Sequence, residues 1–142
     1  RLKLFGIEPK VALLSHSNFG SHQDASALKM RRAFEIIRER MPKLEVDGEM
    51  MADTAWDEAL RQRIFPNTRL KGRANLLVMP NLDAANIGYN LIRVATGGVA
   101  IGPILMGLDQ PAHILTPSSS SRRIVNMSAI VAVEAQIRAA RK

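Results

Sequence analysis

Short apolar runs alternate along this chain with longer stretches in which apolar residues recur every three or four positions. The runs at residues 10–17, 44–50 and 74–80 are bounded by polar or turn-forming residues, as is typical of buried strands. After the first run, helical spacing extends from about Asp24 to just before Pro42. Strands separated by helical segments predict a three-layer α/β domain with a largely parallel sheet.

Two further helices are indicated between residues 50 and 100. Thr54, with Asp57 three positions later, resembles a capping box that opens a helix. Asp83 is predicted to cap the next helix, and the glycines Gly97 and Gly98 to stop it. That helix carries one apolar face (Ala84, Ile87, Gly88, Leu91, Val94, Ala95) and a second apolar strip (Tyr89, Ile92). Two apolar faces predict contact with a further layer or subunit.

The last third of the chain predicts two short strands and a long helix. The strands are "VAIGPILMG", broken by its proline, and "PAHIL". Apolar residues at positions 124–137 then wrap most of the way round a helix, which is typical of burial on several sides. In parallel α/β sheets, ligands bind in the loops that leave the carboxyl ends of strands. Those loops follow Ser17, Pro80, Gly102 and Thr116.

Composition narrows the class of protein. The 142 residues, 46% hydrophobic and 23% charged, are typical of one soluble globular domain. The absence of cysteine excludes disulfides and thiolate metal sites, and we expect a cytoplasmic protein. No apolar run reaches the ~18 residues that a transmembrane helix needs, which argues against membrane insertion. Because the sequence opens on Arg1 rather than Met, we expect a piece of a longer chain.

The net charge of +7, from 20 basic and 13 acidic residues, favours an anionic partner. The basic residues are scattered and interleaved with acids, and few aromatic residues are available to stack on bases, which argues against nucleic acid. His16, His22 and His113 lack metal-ligand spacing, so no metal site is expected. The glycine-rich stretch at residues 97–102 follows a helix rather than a strand, so it is not a dinucleotide fingerprint.

The stretch "ILTPSSSSRRIVNM" at residues 114–127 places four serines and two arginines in front of the last helix. A helix start presents unpaired N–H groups and a partial positive charge, to which Arg122 and Arg123 add fixed cations. These features favour phosphate binding. A well-provided helix cap followed by solvent-facing arginines explains the same residues, and the pattern leaves both interpretations open.

Three segments carry a resemblance to a known family: "EPKVALLSHSNFGS", "KGRANLLVMPNLDAANIGYNL" and "GVAIGPILMGLDQPAHIL". They resemble the C-terminal half of phosphate acetyl/butyryltransferases. Their residues are most similar to the form of this domain that is fused to bacterial NADP-dependent malic enzymes. The resemblance implies a phosphotransacetylase-like, two-lobed α/β fold, a cleft for CoA and acyl phosphate between the lobes, and dimers. It assigns residues from 1 to about 113 to one lobe and residues from about 114 to 142 to a segment returning to the other.

The chain departs from that family at positions where the family places its chemistry. Active members carry Leu-Ser-Arg-Gly where this chain has residues 115–118, and an Asp where it has Arg123. Pro117 therefore stands in place of the family's arginine, and cannot supply a guanidinium to a phosphate or oxyanion. In the earlier loop, Phe19 replaces a lysine. We therefore predict no catalytic residue in this chain.

The resemblance implies a non-catalytic domain of an NADP-dependent malic enzyme that senses acetyl-CoA or another acyl-CoA and forms oligomers. Conversion of malate to pyruvate, CO2 and NADPH, with NADP and a divalent metal, would occur in N-terminal domains outside this chain. The alternatives are an active acetyl- or butyryltransferase completed by other residues, and a purely structural dimerisation module. The predicted acetyl-CoA contacts are Ser15, Ser17, Asn18, Ser21, Asn81, Asn86, Gly102, Pro103, Thr116, Ser118, Arg122 and Arg123.

Overall fold

The structure is a computed structural model that describes residues 2–140. Its strands are β1 (Lys10–Leu14), β2 (Glu45–Met50) and β3 (Leu76–Val78). Its α-helices are α1 (Ala25–Arg40), α2 (Ala52–Trp56), α3 (Glu58–Ile64), α4 (Leu82–Thr96) and α5 (Ser121–Ala139), preceded by a short 3-10 helix at Leu2–Phe5. The three strands predicted from apolar runs before residue 80 are confirmed, with shorter bounds.

The sheet has three parallel strands in the order β2-β1-β3. On the central strand, Val11 pairs with Val46 of β2 on one side and with Leu76 of β3 on the other. Successive β1 side chains point to opposite faces, so Leu13 packs in a cluster with Met30 of α1, whereas Leu14 packs with Ala55 of α2. Helices therefore cover both faces of the sheet, which confirms the predicted three-layer α/β architecture.

The two strands predicted after residue 98 are not formed. Residues 97–120 contain neither strand nor helix. Pro103 and Pro111 have no backbone N–H to donate to a neighbouring strand. The apolar residues of "VAIGPILMG" and "PAHIL" therefore lie in an irregular segment rather than in a sheet, and several of them are exposed, among them Met106 and Ile114 at 63% each.

Two predicted helix caps are wrong. Thr54 lies inside α2, and Asp57 instead caps α3, where its carboxylate accepts a 3.0 Å hydrogen bond from the N–H of Leu60. At the start of α4, the capping acceptor is Asn81 rather than Asp83: its Oδ1 accepts from the N–H of Ala84 at 2.9 Å. Asp57 lies three positions from Thr54, and Asn81 lies two positions from Asp83, and in both places the local backbone path decides which residue caps.

The chain divides into two compact units, the first ending at Tyr89 and the second beginning at Asn90. The first unit contains the sheet, α1, α2 and α3. The second contains the irregular segment 97–120 and α5. Helix α4 begins in the first unit and ends in the second.

Helices α4 and α5 leave much of their apolar surface open. The predicted apolar face of α4 is exposed, with Leu91 at 65% and Val94 at 76%. On α5, Met127 and Glu134 are buried, whereas Val125 is 65% exposed. The burial that the sequence predicts for several sides of these helices is therefore not provided within residues 2–140.

Candidate functional site

The connection of the strands marks one edge of the sheet as a place for a ligand. The chain passes from β1 to β2 on one side and then crosses β1 to form β3 on the other. Ligands of parallel α/β sheets bind at such a switch, outside the carboxyl ends of the strands. The loop at residues 15–21 follows β1, and Asn81 follows β3, so the sheet brings two predicted contact regions to this edge.

The loop at residues 15–21 is built around a buried carboxylate. Glu49, at the end of β2, is 1% exposed, and its Oε1 accepts hydrogen bonds from the Ser17 hydroxyl at 2.7 Å and the Gly20 N–H at 2.8 Å. The backbone carbonyl of Glu49 also accepts from the N–H of Phe19 at 2.8 Å. A single acidic side chain thus fixes the loop, and the sequence pattern did not indicate it.

The polar side chains that were predicted to bind a ligand in this loop mainly accept hydrogen bonds from backbone N–H groups of the loop and of Met51. The Ser15 hydroxyl accepts from the N–H of Ser17 at 2.8 Å, and the Ser21 hydroxyl accepts from the N–H of Asn18 at 3.0 Å. The Oδ1 of Asn18 accepts from the N–H of Met51 at 2.8 Å. The structure therefore brings these four predicted residues together, and Ser17 is fully buried among them.

Electrostatics keep Glu49 ionised despite its burial. Burial alone would raise the pKa of this carboxyl, but hydrogen bonds from Arg31, from the Ser17 hydroxyl and from the Gly20 N–H outweigh it and hold the pKa below its ordinary value. Arg31 extends the network, because its NH2 also donates to the carbonyl of His22 at 3.1 Å. The charge of Arg31 beside this loop is therefore paired with Glu49 and is not a free cation.

Phe19 occupies the position at which the family resemblance implies a lysine. Its backbone has a φ of 46°, in the left-handed region, and its ring stacks on Phe65 with centroids 4.3 Å apart. Such stacking stabilises the loop by about 0.5–1.5 kcal/mol beyond the area buried. The side chain at this position packs against protein and brings no charge to the carboxyl edge of the sheet.

The remaining predicted contacts before the serine stretch lie in different settings. Asn81 uses its side-chain oxygen as the α4 cap, and Asn86 is exposed on that helix. In the second unit, Gly102 is buried while the adjacent Pro103 is exposed.

The serine stretch forms a compact turn before α5. The N–H of Ser119 donates to the carbonyl of Thr116 at 2.9 Å, and the N–H of Thr116 donates to the Ser119 hydroxyl at 3.2 Å. The hydroxyls of Thr116 and Ser118 lie 3.1 Å apart. Two predicted contact residues, Thr116 and Ser118, therefore share one exposed hydroxyl cluster.

The start of α5 has the electrostatics of an anion site. Ser120 caps the helix by accepting from the N–H of Arg123 at 3.3 Å, and the N–H groups of Ser121 and Arg122 meet no acceptor among the described residues. The first turn has no acidic residue. Arg122 is exposed, and the Nε of Arg123 is buried without a hydrogen-bond partner in the described part of the chain. Unpaired donors and two cations thus lie at the positive end of a helix.

The described residues form neither a cluster of metal ligands nor a membrane-spanning helix. Within residues 2–140, no three His, Cys, Asp or Glu side chains converge as metal ligands. In the same residues, no helix is both long and apolar enough to cross a bilayer.

Comparison with known proteins identifies the family. Residues 1–132 match the phosphate acetyl/butaryl transferase family. The chain belongs to this family. It is 58% identical over 136 residues to the NADP-dependent malic enzyme of Escherichia coli K12, covering 95% of this chain and 18% of that enzyme. It is 46% identical over 132 residues to the phosphate acetyltransferase of Paracoccus denitrificans, covering 93% of this chain and 42% of that protein.

The solved structures agree with the family assignment. A phosphotransacetylase from Streptococcus pyogenes superposes with a TM-score of 0.87 at 37% identity, covering 94% of this chain and 41% of that one. This family member thus has a phosphotransacetylase-like α/β fold, and it resembles the domain found in malic enzymes. It spans less than half the length of the proteins that it matches.

Proposed function

We propose that this chain is an acetyl-CoA-sensing and oligomerising domain of an NADP-dependent malic enzyme. In the parent protein, N-terminal domains convert malate to pyruvate and CO2 with NADP and a divalent metal. The 58% identity to a malic enzyme, of which the chain matches 18%, supports this placement. This family member then acts as a regulatory part rather than as the centre of the reaction.

The start of α5 is the observation that carries the ligand proposal. It combines N–H groups of Ser121 and Arg122 that lack acceptors, the guanidinium of Arg123 with a buried unpaired Nε, and an acid-free first turn. The two arginines are repelled by the partial positive charge at this end of the helix. A bound anion would offset that repulsion and stabilise the helix start. The phosphates of acetyl-CoA supply that charge, and charge-assisted hydrogen bonds of this kind are among the stronger ones.

Binding without turnover follows from two replacements near this helix start. Pro117 has no side-chain donor to offer an oxyanion, and Arg123 cannot act as a carboxylate base. The ligand would therefore persist as an effector. Regulation requires that acetyl-CoA bind one quaternary state better than another, with a coupling of about 1–3 kcal/mol.

The decisive experiment replaces Arg122 and Arg123 together by Ala in the full-length protein. Calorimetric titration with acetyl-CoA measures affinity, and malate oxidation is assayed with and without acetyl-CoA. We expect affinity and response to fall while basal malate oxidation stays. The matched control replaces the exposed Lys29 and Arg63 by Ala, which removes the same charge elsewhere. If the arginine pair and the control behave alike, the serine stretch is only a helix cap.

An active acyltransferase is the second candidate, because Thr116 keeps a hydroxyl in the exposed turn and the chain is 46% identical to a phosphate acetyltransferase. Turnover of acetyl phosphate separates it from a sensor. A purely structural module is separated by the absence of any acetyl-CoA binding to the full-length protein.

A further inference from the structure

A buried histidine closes the irregular segment that leads to the serine turn. The N–H of Leu105 donates to the Nδ1 of His113 at 3.2 Å, which joins the two ends of residues 105–113. The other ring nitrogen, Nε2, lies 3.4 Å from the Oε2 of Glu134 on α5. The His113 and Glu134 side chains are only 3% and 6% exposed. Sequence patterns could not pair them, since they lie in different parts of the chain and no spacing rule links them.

A second contact joins the same segment to the same helix. The NH2 of Arg138 donates to the carbonyl of Leu108 at 2.7 Å. Glu134 and Arg138 are four residues apart, so they lie on one face of α5. Two side chains of the helix therefore hold residues 105–113, one at the end of the segment and one near its middle.

The hydrogen-bond pattern fixes the state of the His113 ring. An N–H can donate only to a ring nitrogen that carries no hydrogen, so Nδ1 is the acceptor and the hydrogen lies on Nε2. That Nε2–H faces the Glu134 carboxylate. At 3.4 Å the contact is long for a hydrogen bond, and it places two buried polar atoms directly opposite each other. A leucine at position 113 would fill the space and supply neither interaction.

The His113–Glu134 pair lies close along the chain to the proposed anion site. Thr116 follows His113 by three positions, and three extended residues span at most about 11 Å. On α5, Arg123, Met127 and Glu134 lie on one face, because they are separated by four and seven residues. Holding His113 on this face therefore restricts where the hydroxyl turn can lie relative to the helix start.

We propose that the His113–Glu134 pair, supported by Arg138 and Leu108, is a clamp that positions residues 116–120 at the start of α5 for acyl-CoA binding. This inference rests on the proposed function. The pair acts through the turn and does not touch the ligand. The ligand of the site that the pair positions is a phosphate-bearing acyl thioester.

The test uses the full-length protein with His113→Leu, Glu134→Leu, and both changes together. We expect each single variant to bind acetyl-CoA roughly 3- to 30-fold more weakly in calorimetry, and the double variant to be no weaker than the worse single one. His113→Gln should recover much of the affinity, because an amide offers both an acceptor and a donor. Gln136→Leu, on the exposed side of α5, is the matched control.

Hydrogen exchange measured by mass spectrometry tests the clamp independently of the proposed function. Amides of residues 116–123 should exchange faster in His113→Leu than in Gln136→Leu, whether or not acetyl-CoA binds. If the unaltered protein does not bind acetyl-CoA, the proposed function fails, and exchange alone decides on the clamp. Equal exchange in the two variants overturns the clamp, as does unchanged affinity or a loss that His113→Gln does not relieve. If His113→Leu does not fold, Glu134→Leu carries the same comparisons, and His113→Gln remains the variant that is expected to keep the affinity.

Discussion

Arg31 and Glu49 form a two-point ion pair that joins helix α1 to the end of strand β2. The Nε of Arg31 lies 3.2 Å from Oε2 of the carboxylate, and NH2 lies 3.1 Å from Oε1. Because Oε1 also accepts from the loop that follows β1, this pair ties three parts of the first unit together. The loop geometry therefore depends on a charge that is buried and fully engaged.

The first prediction concerns Glu49 and acid. Its folded-state pKa lies below the ordinary value of 4.5, so its contribution to stability is complete above about pH 4.5 and is lost as pH falls through the folded pKa. Glu49→Gln removes the charge, and we expect the free energy of unfolding at pH 7 to fall by about 2 kcal/mol. Urea denaturation measured from pH 7 to pH 3 checks both statements.

The control for this experiment is Glu39→Gln, which neutralises an exposed carboxylate on α1. That variant should follow the unaltered chain across the pH range. The difference between Glu49→Gln and the unaltered chain should shrink as the solution becomes more acidic. A difference that stays constant to pH 3 contradicts the assignment of this charge.

The second prediction concerns Arg61, which is fully buried on α3. Its guanidinium donates to backbone carbonyls, among them those of Thr54 at 2.9 Å and Gly72 at 2.6 Å. Arg61→Met keeps much of the volume but leaves buried carbonyls unpaired, so the free energy of unfolding should fall by about 3 kcal/mol or more. The fluorescence of Trp56, the chain's one tryptophan, reports the transition.

Arg63→Met is the matched control for Arg61, since Arg63 is exposed on the same short helix. We expect its unfolding free energy to lie within about 0.5 kcal/mol of the unaltered chain. Similar losses in the two variants would show that the Arg61 hydrogen bonds do not hold this region together.

The sequence predicts this molecule well where one physical preference dominates. Residues 11–14 of β1 are all apolar because the strand is covered on both faces, and that pattern leads directly to a three-layer sheet. Arg61 and Glu49 escape prediction because a charged residue in a polar surrounding is normally solvent-exposed. Their burial depends on carbonyls and an arginine that only the folded chain brings to them.

The start of helix α5 was predictable from the sequence, whereas the hydrogen bonds of the loop at residues 15–21 were not. The serines and arginines before α5 mark a helix start in sequence, and Ser120 does cap it. The serines at positions 15–21 resemble a ligand loop, yet in the fold their hydroxyls bond mainly within the loop and to Glu49. Sequence alone could not show this, because the acceptor arrives from a different strand.

The third prediction concerns Gly48 on β2. Its φ is 141°, and an added Cβ would lie 2.7 Å from the carbonyl oxygen and 2.9 Å from the Cβ of Leu13. Both the backbone strain and the clash with the central strand should make Gly48→Ala lose about 2–4 kcal/mol of unfolding free energy. Gly6→Ala separates the two causes, since Gly6 has a φ of 70° with open space around it. Equal losses for both variants would argue against a close approach at Leu13.

The fourth prediction is that the full-length protein does not make acetyl-CoA from acetyl phosphate at an enzymatic rate. Removing one oxyanion-stabilising donor typically costs about 10²- to 10³-fold in rate, and Pro117 stands where the family resemblance implies an arginine. The assay compares acetyl-CoA formation with that of an ordinary phosphotransacetylase under the same conditions. A rate within tenfold of that enzyme would make the acyltransferase the better assignment.

The last prediction concerns the open face of α4. Ile87, Leu91 and Val94 lie on one side of the helix and are 61%, 65% and 76% exposed. Exposed apolar faces of this kind mark association surfaces, and burying three such side chains stabilises a contact by several kcal/mol. We therefore expect the chain to self-associate, and analytical ultracentrifugation over a range of concentrations measures this.

Leu91→Lys combined with Val94→Lys should shift that equilibrium towards monomer, because association would bury two unpaired ammonium groups. The control is Phe5→Lys with Leu28→Lys, which changes two exposed apolar side chains away from α4 by the same charge. Circular dichroism confirms that each pair retains the fold. If the unaltered chain is monomeric at every concentration, or the control dissociates it equally, the α4 face is not the surface through which copies of this chain meet.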